Sequence, residues 1–149
     1  LDEIAGASLL VENRSHRELS MRLGIPLELA YLEDRAFEGL SVELARAWPA
    51  RFAEAIPVGR DLSMVWPRLA LWMLSDPESG VLRLARTDRT RGAIAGVVAL
   101  YQRWIDGDKP TIEEWRKARA AAYAASAADA RKGHWSKIAD KLIDLMVAA

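Results

Sequence analysis

The sequence predicts an all-α fold: a single-domain bundle of about five to seven helices with a long alanine-rich C-terminal helix. Three observations carry this. The stretch from Thr111 to Met146 opens on the capping box Thr111-Ile112-Glu113-Glu114. It runs through an alanine-rich tract, Ala118 to Ala130, and closes with Trp135, Ile138, Leu142 and Leu145 at helical spacing. Upstream, caps, glycines and prolines punctuate the chain at intervals suited to short helices. Strict apolar–polar alternation never persists beyond four or five positions, and no Asn-Gly or Asp-Gly turn joins β-branched runs, so no strand is predicted.

Residues 1–14 hold one apolar cluster, Leu9 to Val11, and read as a marginal helix. Ser15 and Glu18 form a capping box for a short helix, with Gly24 as its stop. Pro26 suits the first turn of the next helix, which runs to about Glu38 and ends at Gly39. Ser41 caps a helix through Trp48, where Pro49 either kinks the helix or restarts one to Ile56. Pro57-Val58-Gly59 reads as a turn. Asp61 is the expected cap of a helix from Leu62 to Leu74, interrupted at Trp66-Pro67. Asp76-Pro77 reads as a cap and first position for a short piece to Leu84.

Thr87 or Asp88 opens a better helix. Its stripe is Ile94, Val97, Val98, Tyr101, Trp104 and Ile105. Gly92 and Gly96, four apart on it, are expected to admit a close neighbouring helix. In an exposed helix each would cost about 1 kcal/mol against alanine. Gly107 and Pro110 break the chain before the final helix, where Trp115, Ala118, Ala122 and Ala125 share a face suited to close helix packing. A kink or break is expected at Gly133. The candidate helix–helix interface is therefore Gly92, Gly96, Ala118, Ala122 and Ala125. The tryptophans at 48, 66, 72 and 104 are expected to lie largely in the core.

A chain of 149 residues is long enough to bury a sizeable core, and its 51% apolar content and mean hydropathy of −0.06 fit a globular protein. There is no cysteine, which excludes disulfides, thiolate nucleophiles and cysteine metal sites. The longest apolar run, Ala93 to Leu100, is far short of the ~18 residues of a membrane span. The first residues, with Asp2 and Glu3, do not resemble a signal peptide, so a cytoplasmic location is expected. Net charge is zero but unevenly spread. Residues 1–80 carry 8 Lys+Arg against 13 Asp+Glu, and residues 81–149 carry 13 against 8. Such asymmetry can steer one half onto the other, favour a second copy, or aim a basic face at an anion.

Two segments bear on binding. Around Arg17 to Leu40, Ser20 and Gly24 stand where DNA-binding helix-turn-helix domains place a small residue and the turn glycine, and the segment resembles that family. The would-be recognition helix, however, carries Glu28, Glu33, Asp34 and Glu38 against Arg35 alone, which phosphates would repel. The second segment is the basic run Arg83, Arg86, Arg89 and Arg91, tempered by Asp88, which can meet an anion or an acidic partner.

Catalytic constellations are thin. His16 and His134 are far apart, with no metal ligand at helical spacing, and no phosphate loop or nucleophile elbow occurs. The pairs Glu33-Asp34 and Glu113-Glu114 point about 100° apart on a helix and make no ready acid–base pair. No catalytic residue, cofactor or metal site is assigned. An enzyme would need carboxylates converging from different helices.

From Leu29 onward the chain resembles a set of bacterial and phage all-α proteins with an alanine-rich C-terminal tract. The words that carry this include Leu29-Ala30-Tyr31-Leu32-Glu33-Asp34, Trp48-Pro49-Ala50-Arg51-Phe52, Ala55-Ile56-Pro57-Val58-Gly59, Val65-Trp66-Pro67 and Ala139-Asp140-Lys141-Leu142-Ile143. The resemblance brings no activity with it. It implies a domain from residue 21 to 149, with Met21 as a natural start and residues 1–20 an extension, non-native or a marginal helix. The expected function is a non-catalytic protein-interaction or accessory module, acting on a protein partner or as a homodimer. Nucleic-acid binding through residues 15–40 or the arginine run is the alternative.

Overall fold

Local signals set most of the helix ends. The computed structural model describes residues 16–123 and 135–149. Every regular element among these is helical: α1 His16–Leu23, α2 Leu27–Gly39, α3 Val42–Glu54, α4 Val65–Ser75, a 3-10 turn Val81–Leu84, α5 Asp88–Ile105, α6 Ile112–Tyr123 and α7 Trp135–Val147. The all-α expectation holds, and none of the described helices is long and apolar enough to cross a membrane. Ser15, Ala125, Gly133 and most of the alanine tract lie outside the described residues. So do the expected first capping box and the expected kink.

The sequence reading drew one domain from residue 21. The chain's contacts group it into two compact units, Leu1–Trp66 with Lys132–Ala149, and Pro67–Arg131. The division falls in the first turn of α4, where Pro67 forfeits an N–H that a helix start leaves unpaired anyway.

In the first unit, α1 ends as a Schellman motif. Gly24 takes φ +64°, and the Ile25 N–H donates to the Ser20 carbonyl at 3.1 Å. Leu19 is buried and α1 packs on α2. The expected boundary after residue 20 therefore falls inside a packed helix, because Leu19 has a core position to fill. Pro26 stands at the N-cap of α2, one position before the expected first turn. Ser41 caps α3 as expected, accepting from the Leu44 N–H at 3.5 Å.

Helix α3 continues through Pro49, an interior proline that costs ~3 kcal/mol. The same turns bury Trp48 and Phe52 completely, with ring centroids 5.7 Å apart. Burial of about 1.5–3 kcal/mol per large apolar side chain offsets the lost backbone bond. The α7 ridge of Ile138, Ala139, Leu142 and Met146 is buried, and α7 packs on both α2 and α3.

Gly39 serves α7 as well. A Cβ there would fall on the Trp135 ring, 2.7 Å from its Cδ2. Gly39→Ala gains ~1 kcal/mol of helix propensity. It overpacks by about 1–3 kcal/mol. A net loss of up to ~2 kcal/mol in denaturant unfolding is expected. An unchanged midpoint would show that the indole moves aside freely.

The turn Pro57-Val58-Gly59 forms, with Gly59 at φ +73° and the Arg60 N–H on the Pro57 carbonyl at 3.3 Å. Asp61 does not cap α4. It accepts from the Ser63 N–H and hydroxyl at 2.8 and 3.0 Å, so the local Asx turn wins and the helix waits until Val65.

In the second unit, Asp76 Oδ1 accepts from the Glu78 and Ser79 N–H groups at 3.1 and 2.6 Å. The turn it caps leads into the 3-10 segment rather than a longer helix. Thr87 caps α5, accepting from the Thr90 N–H at 3.1 Å. The helix closes on Gly107 at φ +98°, with Asp108 N–H on the Arg103 carbonyl at 2.9 Å.

The capping box of α6 is reciprocal. Thr111 N–H donates to Glu114 Oε2 at 2.8 Å and Glu114 N–H to Thr111 Oγ1 at 3.3 Å. Arg103 of α5 donates to both Glu114 and Asp108 at 2.7 Å. It is the main reason the Glu114 carboxyl is held down at about 2, with the Thr111 N–H and hydroxyl adding to it. The hairpin of α5 and α6 is closed by rings: Tyr101 and Trp115 have centroids 4.6 Å apart, and Trp104 and Trp115 6.2 Å.

Of Trp48, Trp66, Trp72 and Trp104, only Trp48 is wholly buried; the other three stay partly exposed. An indole is large, so it is seldom enclosed completely even when most of it is buried. Gly92 and Gly96 are both exposed, and among the described residues nothing stands within 4 Å of where a Cβ would lie. The ring contacts between α5 and α6 are those of Tyr101 and Trp104 with Trp115.

Candidate interaction surface

Residues 81–91 connect a 3-10 turn to the start of α5, and this geometry spaces the four arginines. Arg83 lies in the 3-10 turn, Arg86 just before the Thr87 cap, and Arg89 and Arg91 in the first turns of α5. All four are exposed. Arg91 donates to the Ala85 carbonyl at 3.2 Å, closing the connection. Among the described residues no acid pairs with Arg83, Arg86 or Arg89.

Four arginines elsewhere are paired with acids. Arg22 pairs with Glu18, Arg51 with Asp140 at 2.9 Å, Arg103 with Asp108 and Glu114, and Arg116 with Glu113 at 2.8 Å. The structure thus assembles the arginine run that the sequence singled out, and leaves three of its charges without an acid among the described residues.

Behind the arginines, α5 has two faces. Ile94, Val97 and Leu100 are buried. Gly92, Ala95, Gly96 and Ala99 are exposed and fall together on the opposite side at 100° per residue. Of the expected α6 alanines, Ala118 is half-buried. The side chain of Ala122 is not described, and Ala125 lies outside the described residues.

The helix-turn-helix look is real as a turn. Ser20 Oγ donates to the Ile25 carbonyl at 2.6 Å across Gly24. On α2, Glu28 and Glu38 are exposed, Asp34 is partly so, and the lone cation is Arg35. The helix that would read a groove presents the same charge sign as the phosphates. His16 stacks on Tyr31 with centroids 4.3 Å apart and places Nε2 3.3 Å from Asp34 Oδ2.

The sequence counts Glu33 among the four acids of the would-be recognition helix. The structure buries it, with 3% of its surface exposed. Burial, and then the neighbouring Asp34 charge, push its carboxyl up to about 7. The signal was present: Leu29, Ala30 and Ala36, at four back, three back and three ahead, put it on the apolar row. Among the described residues no cluster of three or more His, Asp or Glu is placed to hold a metal ion. No protein-family model, curated protein or solved structure matches the chain.

Proposed function

We propose that this chain is a non-catalytic interaction module, of the bacterial and phage kind it resembles, that docks an acidic helical segment of a protein partner on α5. The observation that carries this is the exposed set Arg83, Arg86 and Arg89, three cations within seven residues and without acid partners among the described residues. The outward face of Gly92, Ala95, Gly96 and Ala99 supports a helix as the occupant. Two glycines on an exposed helix weaken it by about 1 kcal/mol each. A second helix would bring its backbone close just there.

The test is a fluorescence-anisotropy titration against a labelled glutamate-rich helical peptide and against random-sequence duplex and single-stranded DNA, at low and physiological salt. Peptide binding is expected, weakened roughly tenfold by the triple change Arg83→Ala, Arg86→Ala, Arg89→Ala. Tighter, steeply salt-dependent binding to DNA would replace the proposal with phosphate recognition. Binding of neither probe would end it, and sedimentation of the chain alone would then show whether a second copy is the partner.

A further inference from the structure

Glu33 lies at the middle of the α2 face that α1, α3 and α7 pack against, in the row of Leu29, Ala30 and Ala36. Its backbone carbonyl is engaged by a neighbour: the Trp48 indole N–H of α3 donates to it at 3.0 Å. Its carboxyl has no hydrogen-bond or ion-pair partner among the described residues. No described side-chain nitrogen or oxygen that is wholly shut from solvent lacks a hydrogen bond. The unpartnered carboxyl therefore keeps a thin contact with water, and with it a route for a proton.

We propose that Glu33 makes the packing of the first unit proton-dependent: the helices close around its neutral carboxyl and loosen when it ionises. A carboxylate in that place loses most of its hydration and gains no cation or N–H in return. Charged groups do stand on every packed element. They are His16, Arg17, Glu18 and Arg22 on α1, Glu43, Arg46, Arg51 and Glu54 on α3, and Lys137, Asp140, Lys141 and Asp144 on α7. Arg51 is held by Asp140, Arg22 by Glu18, and His16 faces Asp34 rather than Glu33. The nearest charge acting on Glu33 is Asp34, which is of like sign and favours the neutral form.

The direction with pH follows. The folded value of about 7 lies above the ordinary 4.5, so the folded chain holds the proton more tightly than the unfolded one. The contribution is whole below pH 4.5 and is lost as pH rises through about 7. The unfolding constant should rise over that window by up to roughly a hundredfold.

The experiment is thermal unfolding of the full chain from pH 5 to pH 8.5, for the wild type and Glu33→Gln, with His16→Asn as the control for the imidazole beside Asp34. The wild-type midpoint should fall with rising pH. Glu33→Gln should match the wild type near pH 5, melt above it at pH 8 and flatten the slope, while His16→Asn retains it. A Glu33→Gln profile parallel to the wild type would overturn the proposal. Should that variant not fold, carbon-13 NMR of the wild-type Glu33 carboxyl decides: a midpoint near 7 upholds it and one near 4.5 refutes it.

Discussion

Trp48→Ala is expected to destabilise the chain by ~3–5 kcal/mol, the cost of deleting a fully buried aromatic side chain whose neighbours cannot collapse into the space. In a domain of this size that lowers the melting temperature by roughly 10–20 °C. Three contributions are lost together: the buried ring area, the contact with Phe52, and the indole donor to the Glu33 carbonyl. Trp48→Phe separates them. It keeps most of the ring and removes the donor, for a loss of about 1–2 kcal/mol. Trp72→Ala is the control, since that ring is partly exposed, and its effect should be smaller. If calorimetry shows Trp72→Ala as damaging as Trp48→Ala, the placing of the core on α2 and α3 is wrong.

Leu142→Ala should be the next most damaging change, at ~2–5 kcal/mol, because Leu142 is completely buried at the centre of the α7 ridge. The same helix carries an ion pair to α3, Arg51 with Asp140 at 2.9 Å, but both side chains are exposed, at 44% and 61%. An exposed pair contributes ~0–1 kcal/mol. The magnitudes therefore assign the docking of α7 to its apolar row and not to its charges. Urea unfolding of Leu142→Ala and Arg51→Ala side by side checks this. A larger loss for Arg51→Ala would reverse the assignment.

Much of the secondary structure was legible because its signals are local. A hydroxyl or carboxylate three residues before an N–H caps a helix wherever the chain is, as Ser41, Thr87 and the Thr111–Glu114 box do. Gly24, Gly59 and Gly107 supply the positive φ their turns require. At Asp61 the sequence predicted a cap that does not form, and at Pro49 it named two options without a winner. Ser63 decided the first, and burial of Trp48 and Phe52 decided the second.

The candidate surface was legible in part. Four arginines within nine residues are visible in any reading of the chain. That three of them lack an acid among the described residues depends on where the acids of other helices come to stand. Gly92 and Gly96 were expected to admit a close helix, and the structure leaves both exposed. Periodicity says which residues share a face, while only packing says which face is covered.

By itself, then, the sequence determined the helical class, most helix ends and the basic segment, all consequences of interactions within a few residues. The tertiary structure decided the grouping into two units, the burial of Trp48 alone among four candidate core tryptophans, and the outward aspect of the α5 glycines. It also buried Glu33, which the sequence showed only as one of the acids of α2. These depend on contacts between residues far apart in the chain, and a charge changes its chemistry when helices from elsewhere remove its water.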